Sequence, residues 1–96
     1  MNIVWSEQAR NSLAKIYDYI YQDSPKAAEQ VLNSLLKKSE SLRDPRVEHP
    51  IDPVLNNPKY RYILQWNFKI VYKRTDNEVI ILDIFHTSRD PGNLIL

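Results

Sequence analysis

Four prolines, Pro45, Pro50, Pro53 and Pro58, fall within fourteen consecutive positions of this 96-residue chain. Proline lacks the N–H that a helix interior or a central strand must donate, so this stretch can be neither and reads as an ordered loop. It separates two halves with different apolar periods. Ahead of it apolar residues recur at helical spacing, and behind it they alternate as in strands. Helices gathered on one side of a break and strands on the other define an α+β chain.

Within the first half, Asn2 to Trp5 is a short β-prone run that stops at Ser6, a residue suited to cap a helix N-terminus. Ala9, Leu13, Ile16, Tyr17, Ile20 and Tyr21 then share one helical face, and the helix is expected to end near Gln22. Ser24-Pro25 starts a second helix, with serine as the cap and proline at the first helical position, where a missing N–H costs nothing. Its stripe is Ala28, Val31, Leu32, Leu35 and Leu42. So short a connection predicts an antiparallel helical hairpin. Tyr17 and Tyr21 read as core residues, with Tyr19 pointing elsewhere.

Three strands are predicted in the second half: Tyr60–Gln65, Phe68–Arg74 and Val79–Phe85. The short turns between them, Trp66-Asn67 and Thr75-Asp76-Asn77-Glu78, make an antiparallel meander. Tyr62, Leu64 and Trp66 alternate with Arg61, Ile63 and Gln65; Phe68, Ile70 and Tyr72 alternate with Lys69, Val71 and Lys73. The expectation is one apolar face and one face carrying cations. The third strand is apolar at both parities except for Asp83, as suits a strand inside a sheet. The expected architecture is a short N-terminal strand and an antiparallel helical hairpin packed on one face of a small, mainly antiparallel sheet with a C-terminal three-stranded meander. Residues 1–96 form a single domain in this reading, since a chain of this length has room for one core.

Composition excludes several kinds of chemistry. A single glycine cannot build a phosphate-cradling loop, which removes P-loop and dinucleotide-binding readings. The absence of cysteine removes disulfides, thiolate nucleophiles and zinc knuckles. The two histidines, His49 and His86, are far apart and have no ligand spacing around them, so no metal and no cofactor is expected. Glu7 arrives too early for a signal peptide, and Val79-Ile80-Ile81-Leu82 is far short of a membrane span. A cytoplasmic location without membrane association follows as the expectation. The formal charge of +1 is unlike a domain that binds nucleic acid by bulk charge, although residues 59–96 carry +2.

The candidate site comes from the strands. Arg61, Lys69 and Lys73 lie on neighbouring strands, and His86 and Arg89 follow the end of the last one. If they converge, arginines and lysines would neutralise charge on phosphoryl oxygens and a histidine could move a proton. The alternative reading is a solvated cationic face, with His86 bonded to a strand-end carbonyl and Arg89-Asp90 a local ion pair. A Ser-His-Asp site has no strand–turn–helix anchor here.

Taken in order, the residues resemble the RelE/ParE superfamily of bacterial toxins from type II toxin–antitoxin systems. The resemblance runs through Val4-Trp5-Ser6-Glu7-Gln8-Ala9, Tyr19-Ile20, Tyr60-Arg61, Phe68-Lys69-Ile70-Val71-Tyr72-Lys73 and Ile84-Phe85-His86-Thr87-Ser88-Arg89-Asp90-Pro91. It covers nearly the whole chain.

Two activities exist in that superfamily. The ParE-like branch implies binding and inhibition of DNA gyrase with no catalytic site, and the ending His86-x-x-Arg89-Asp90-Pro91 is closer to it. On that reading Arg61, Lys69, Lys73, His86 and Arg89 are target contacts. The alternative is a RelE-like ribosome-dependent mRNA endoribonuclease, in which Arg61, Lys69, His86 and Arg89 would serve the chemistry. Lys69 stands where such nucleases usually have arginine, and lysine lacks the bidentate fork. The tail Gly92-Asn93-Leu94-Ile95-Leu96 also lacks their C-terminal tyrosine or histidine. Either way the resemblance implies a cognate antitoxin held in a hetero-oligomer, with Leu36, Leu94 and Ile95 as candidate contacts. A non-toxic scaffolding relative would look the same in sequence.

Overall fold

The computed structural model describes residues 1–46 and 49–87. Strand β1 (Asn2–Trp5) leads into helix α1 (Glu7–Asp23) through Ser6, whose Oγ accepts the Ala9 amide at 3.0 Å. The same hydroxyl donates to the Leu82 carbonyl at 2.9 Å, so one side chain both caps the helix and ties it to the sheet. Helix α2 (Pro25–Glu40) begins after a single non-helical residue. Ser24 closes α1, donating its amide to the Ile20 carbonyl, and opens α2, accepting the Ala27 amide on Oγ. With one residue between them the helices must fold back on each other. A short 3₁₀ turn, Ser41–Arg43, follows.

Strands β2 (Arg61–Gln65), β3 (Phe68–Arg74) and β4 (Glu78–His86) form the expected meander, and β1 joins it parallel to β4. The sheet order is β1-β4-β3-β2, which places β4 inside the sheet, consistent with its apolar character at both parities. Where Val71 pairs with Asp83 and Tyr72 with Ile81, Leu82 is an extra residue in β4. This bulge breaks the strand's alternation. The Ser6 hydroxyl takes the Leu82 carbonyl there, and Asp83 accepts the Ser12 hydroxyl of α1 at 2.6 Å and its neighbour's amide, Ile84 N, at 2.8 Å. The one interruption in the apolar strand is therefore a buried and bonded carboxylate that joins sheet to helix.

The core lies between hairpin and sheet: Ala9, Leu35, Leu42, Ile63, Ile70, Tyr72, Val79, Ile81 and Ile84 are buried, with Leu13, Ile16 and Val31 packed against them. Two readings of the pattern need correction. In β2 the buried residue is Ile63, whereas Leu64 and Trp66 are exposed. The pairing Ile63↔Ile70 puts Ile63 on the helix side, and Leu64, paired with Lys69, lies on the other. Tyr21, expected in the core stripe of α1, is also exposed; it packs on Tyr17 with ring centroids 5.7 Å apart. Among the described residues no helix is long and apolar enough to cross a membrane.

Candidate functional site

The second face of the sheet is not an open cationic surface. Lys69, expected there as an accessible cation, is buried, and its ammonium forms an ion pair with the carboxylate of Asp52, which is fully buried. The Lys69 Nζ also stands 4.6 Å from the centre of the Tyr62 ring and 5.8 Å from that of Phe85. Two aromatic faces and a carboxylate therefore engage this cation. Asp52 comes from the proline-rich segment, which runs along the edge of β2. The Asp52 amide donates to the Tyr60 carbonyl, the Tyr62 amide donates to the Pro50 carbonyl, and Ile51 bridges Arg61. Its carboxylate also accepts the Leu55 amide at 2.9 Å. The segment is thus a partial fifth strand whose side chain reaches over the face to Lys69.

The remaining expected site residues are distributed rather than gathered. Arg61 opens β2 and pairs with Tyr72, at the end of the sheet away from the β2–β3 turn. Its Nε donates to the Pro58 carbonyl and its Nη1 to the His49 carbonyl, at 3.1 and 3.0 Å. His86 lies at the other end, opposite Phe68, with the two rings edge to face at 5.5 Å. Because strand residues alternate faces, Lys69, opposite Phe85, leaves one face and His86 the other. Lys73 shares the parity of Lys69 and is partly exposed. Leu36 is exposed on α2. Arg89, Leu94 and Ile95 lie outside the described residues.

A different cluster emerges around Arg61. His49 stands edge-on to Tyr72, with centroids 6.0 Å apart, and Arg74 approaches the same ring at 5.5 Å while its Nη2 donates to the carbonyls of Leu42 and Asp44, each at 3.1 Å. Burial first, then the charges of Arg74 and Lys38, holds the His49 imidazole below its ordinary pKa of 6.5. In the sequence His49 has no metal-ligand spacing to single it out. The signal that could have found it is positional: His49-Pro50 opens the stretch that pairs with β2, and Pro58-Lys59 closes it. Among the described residues no group of three or more potential metal ligands comes together.

A helical hairpin on one face of a four-stranded mixed sheet, joined to it through Ser6 and Asp83, defines this chain as a RelE/ParE-type α+β fold. The family described as the ParE toxin of the type II toxin–antitoxin system, parDE, matches residues 3–91, and the chain belongs to that family. In structure it is similar to a protein solved as the chromosomal ParDE toxin–antitoxin system from P. aeruginosa, with a TM-score of 0.75 and 21% identity over 90% of this chain and 95% of that one. At that identity the likeness is one of fold. No curated protein matches the chain.

Proposed function

We propose that this ParE-family toxin arrests bacterial growth by binding DNA gyrase, acts in the cytoplasm as one domain spanning residues 1–96, and is neutralised by a cognate antitoxin. The observation that supports binding over cleavage is the placement of the basic residues. A ribosome-dependent nuclease would gather Arg61, Lys69 and His86 around one phosphate, yet Lys69 is enclosed by Asp52, Tyr62 and Phe85, and Arg61 and His86 lie at opposite ends of the sheet. Among the described residues these three do not converge, so they do not form together the acid–base arrangement for attack by a 2′-oxygen. Arg61, Lys73, His86 and Arg89 act as target contacts in this reading, while Lys69 holds the proline-rich segment in place. The antitoxin covers exposed apolar residues, Leu36 among them, together with Leu94 and Ile95, in a coupled folding and binding event.

Induced expression in a sensitive bacterium tests this within minutes. Gyrase poisoning produces DNA breaks and damage signalling with intact transcripts. Codon-linked mRNA cuts without DNA breaks would replace the reading with the nuclease one, and unaffected growth in the absence of antitoxin would overturn both. A folded Arg89→Ala protein should lose toxicity and keep its antitoxin affinity; retained toxicity would remove Arg89 from the target contacts.

A further inference from the structure

The geometry points to a phosphate-binding pocket formed by His49, Lys59, Arg61 and Arg74, which takes one phosphodiester of a nucleic-acid strand lying along the edge of β2. The pocket is a cavity of about 200 Å³ whose remaining described walls are Pro58 and Tyr72. Its cationic groups come from three places, the proline-rich segment, β2 and β3, and no described lining residue is a carboxylate. Asp44, whose carbonyl binds Arg74, has its carboxylate engaged by Arg46.

The donors are pre-oriented. Backbone carbonyls of Pro58 and His49 hold Arg61 through Nε and Nη1, and its Nη2 hydrogens have no partner among the described residues. The buried Nε2 of His49 likewise has none. Buried polar groups are ordinarily bonded, so the His49 nitrogen points to an absent ligand, and the partly exposed Arg61 fork beside it has hydrogens left to donate. Donors arriving from separate elements suit a tetrahedral oxyanion, whereas a planar carboxylate is satisfied by a single guanidinium fork.

The surroundings favour a strand over a free ion. His49 also lines a second cavity of about 210 Å³ along β2, shared with Lys38. Lys38 in turn lines a third of about 420 Å³ together with Lys37 and Gln65. A free phosphate meets the first cavity alone, while a longer chain of phosphodiesters can also reach Lys37 and Lys38, which line the neighbouring cavities. Only the source of that strand, the DNA held by gyrase, rests on the function proposed above.

The test is a titration of the full chain, without gyrase, using a short single-stranded DNA, inorganic phosphate and an oligoglutamate peptide as separate probes, read by NMR shifts at His49 and Arg61 and by fluorescence anisotropy. The DNA is expected to perturb both residues. Lys59→Ala, a change at an exposed position, should weaken binding roughly fivefold across sequences and lower the salt slope by about one. Binding of inorganic phosphate alone, tighter binding of the peptide, DNA binding indifferent to Lys59→Ala, or no shift at His49 and Arg61 would each overturn the pocket. Gyrase supercoiling inhibition is measured separately on the wild type, so loss of the pocket and loss of the gyrase reading give different results.

Discussion

The ammonium of Lys69 and the carboxylate of Asp52 form a buried ion pair that fastens the proline-rich segment to the middle of the sheet. Removing one partner strands the other charge away from water. Asp52→Ala should therefore destabilise the chain by about 3–5 kcal/mol, whereas the double change Asp52→Asn with Lys69→Met should lie within about 2 kcal/mol of the wild type, because no charge is then buried. Urea unfolding of Asp52→Ala and of the double variant measures this. A single-variant loss below 1 kcal/mol, by the same reckoning, would mean that the pair is open to solvent.

Ser6 makes two bonds with one hydroxyl, accepting from Ala9 and donating to Leu82. Ser6→Ala should cost about 1–2 kcal/mol, the upper end reflecting the Leu82 carbonyl left at the bulge. Ser6→Asp keeps the cap acceptor but cannot donate to that carbonyl, and should recover only part of the loss. Full recovery in thermal unfolding would show that the link to the sheet contributes nothing.

The His49 imidazole titrates below its ordinary value, so as pH falls the unfolded chain takes up a proton before the folded one does. The stability that His49 contributes is complete above about pH 6.5 and declines below it. The urea midpoint should fall between pH 7.5 and 5.5, and His49→Gln should flatten that slope. An unchanged slope in the variant would place the dependence elsewhere.

Trp66 begins the two-residue turn between β2 and β3 with φ of 52° and is exposed. A left-handed backbone costs a residue with a Cβ about 1 kcal/mol, which glycine avoids. Trp66→Gly should raise the unfolding free energy by roughly 0.5–1 kcal/mol, less whatever packing the ring supplies. A decrease would mean that the indole contributes more by contact than its backbone costs.

The helices were legible because their signals are local. Ser6, Ser24 and Pro25 occupy the capping positions their chemistry favours, and Ala9, Leu13, Ile16, Ala28, Val31 and Leu35 repeat on the helical period. The strands were legible to within about a residue at each end, a usual margin for element boundaries. The site was not. Strand alternation separates two parities without saying which one is buried, and β2 has apolar residues at both, so Ile63 and Leu64 exchanged their expected places. Lys69 reads as a surface cation because nothing near it in sequence reveals Asp52.

By itself, then, the sequence determined the elements, their order and the α+β class, since caps, periodicity and proline exclusion act over a few neighbouring residues. Tertiary structure alone decided which basic side chains meet. Parallel docking of β1 on β4, the bulge at Leu82 and the pairing of Pro50 and Asp52 with β2 bury Lys69, send His86 to the far end of the sheet and bring His49 beside Arg61. Such contacts depend on register and on loop closure between distant positions, and no local propensity encodes them.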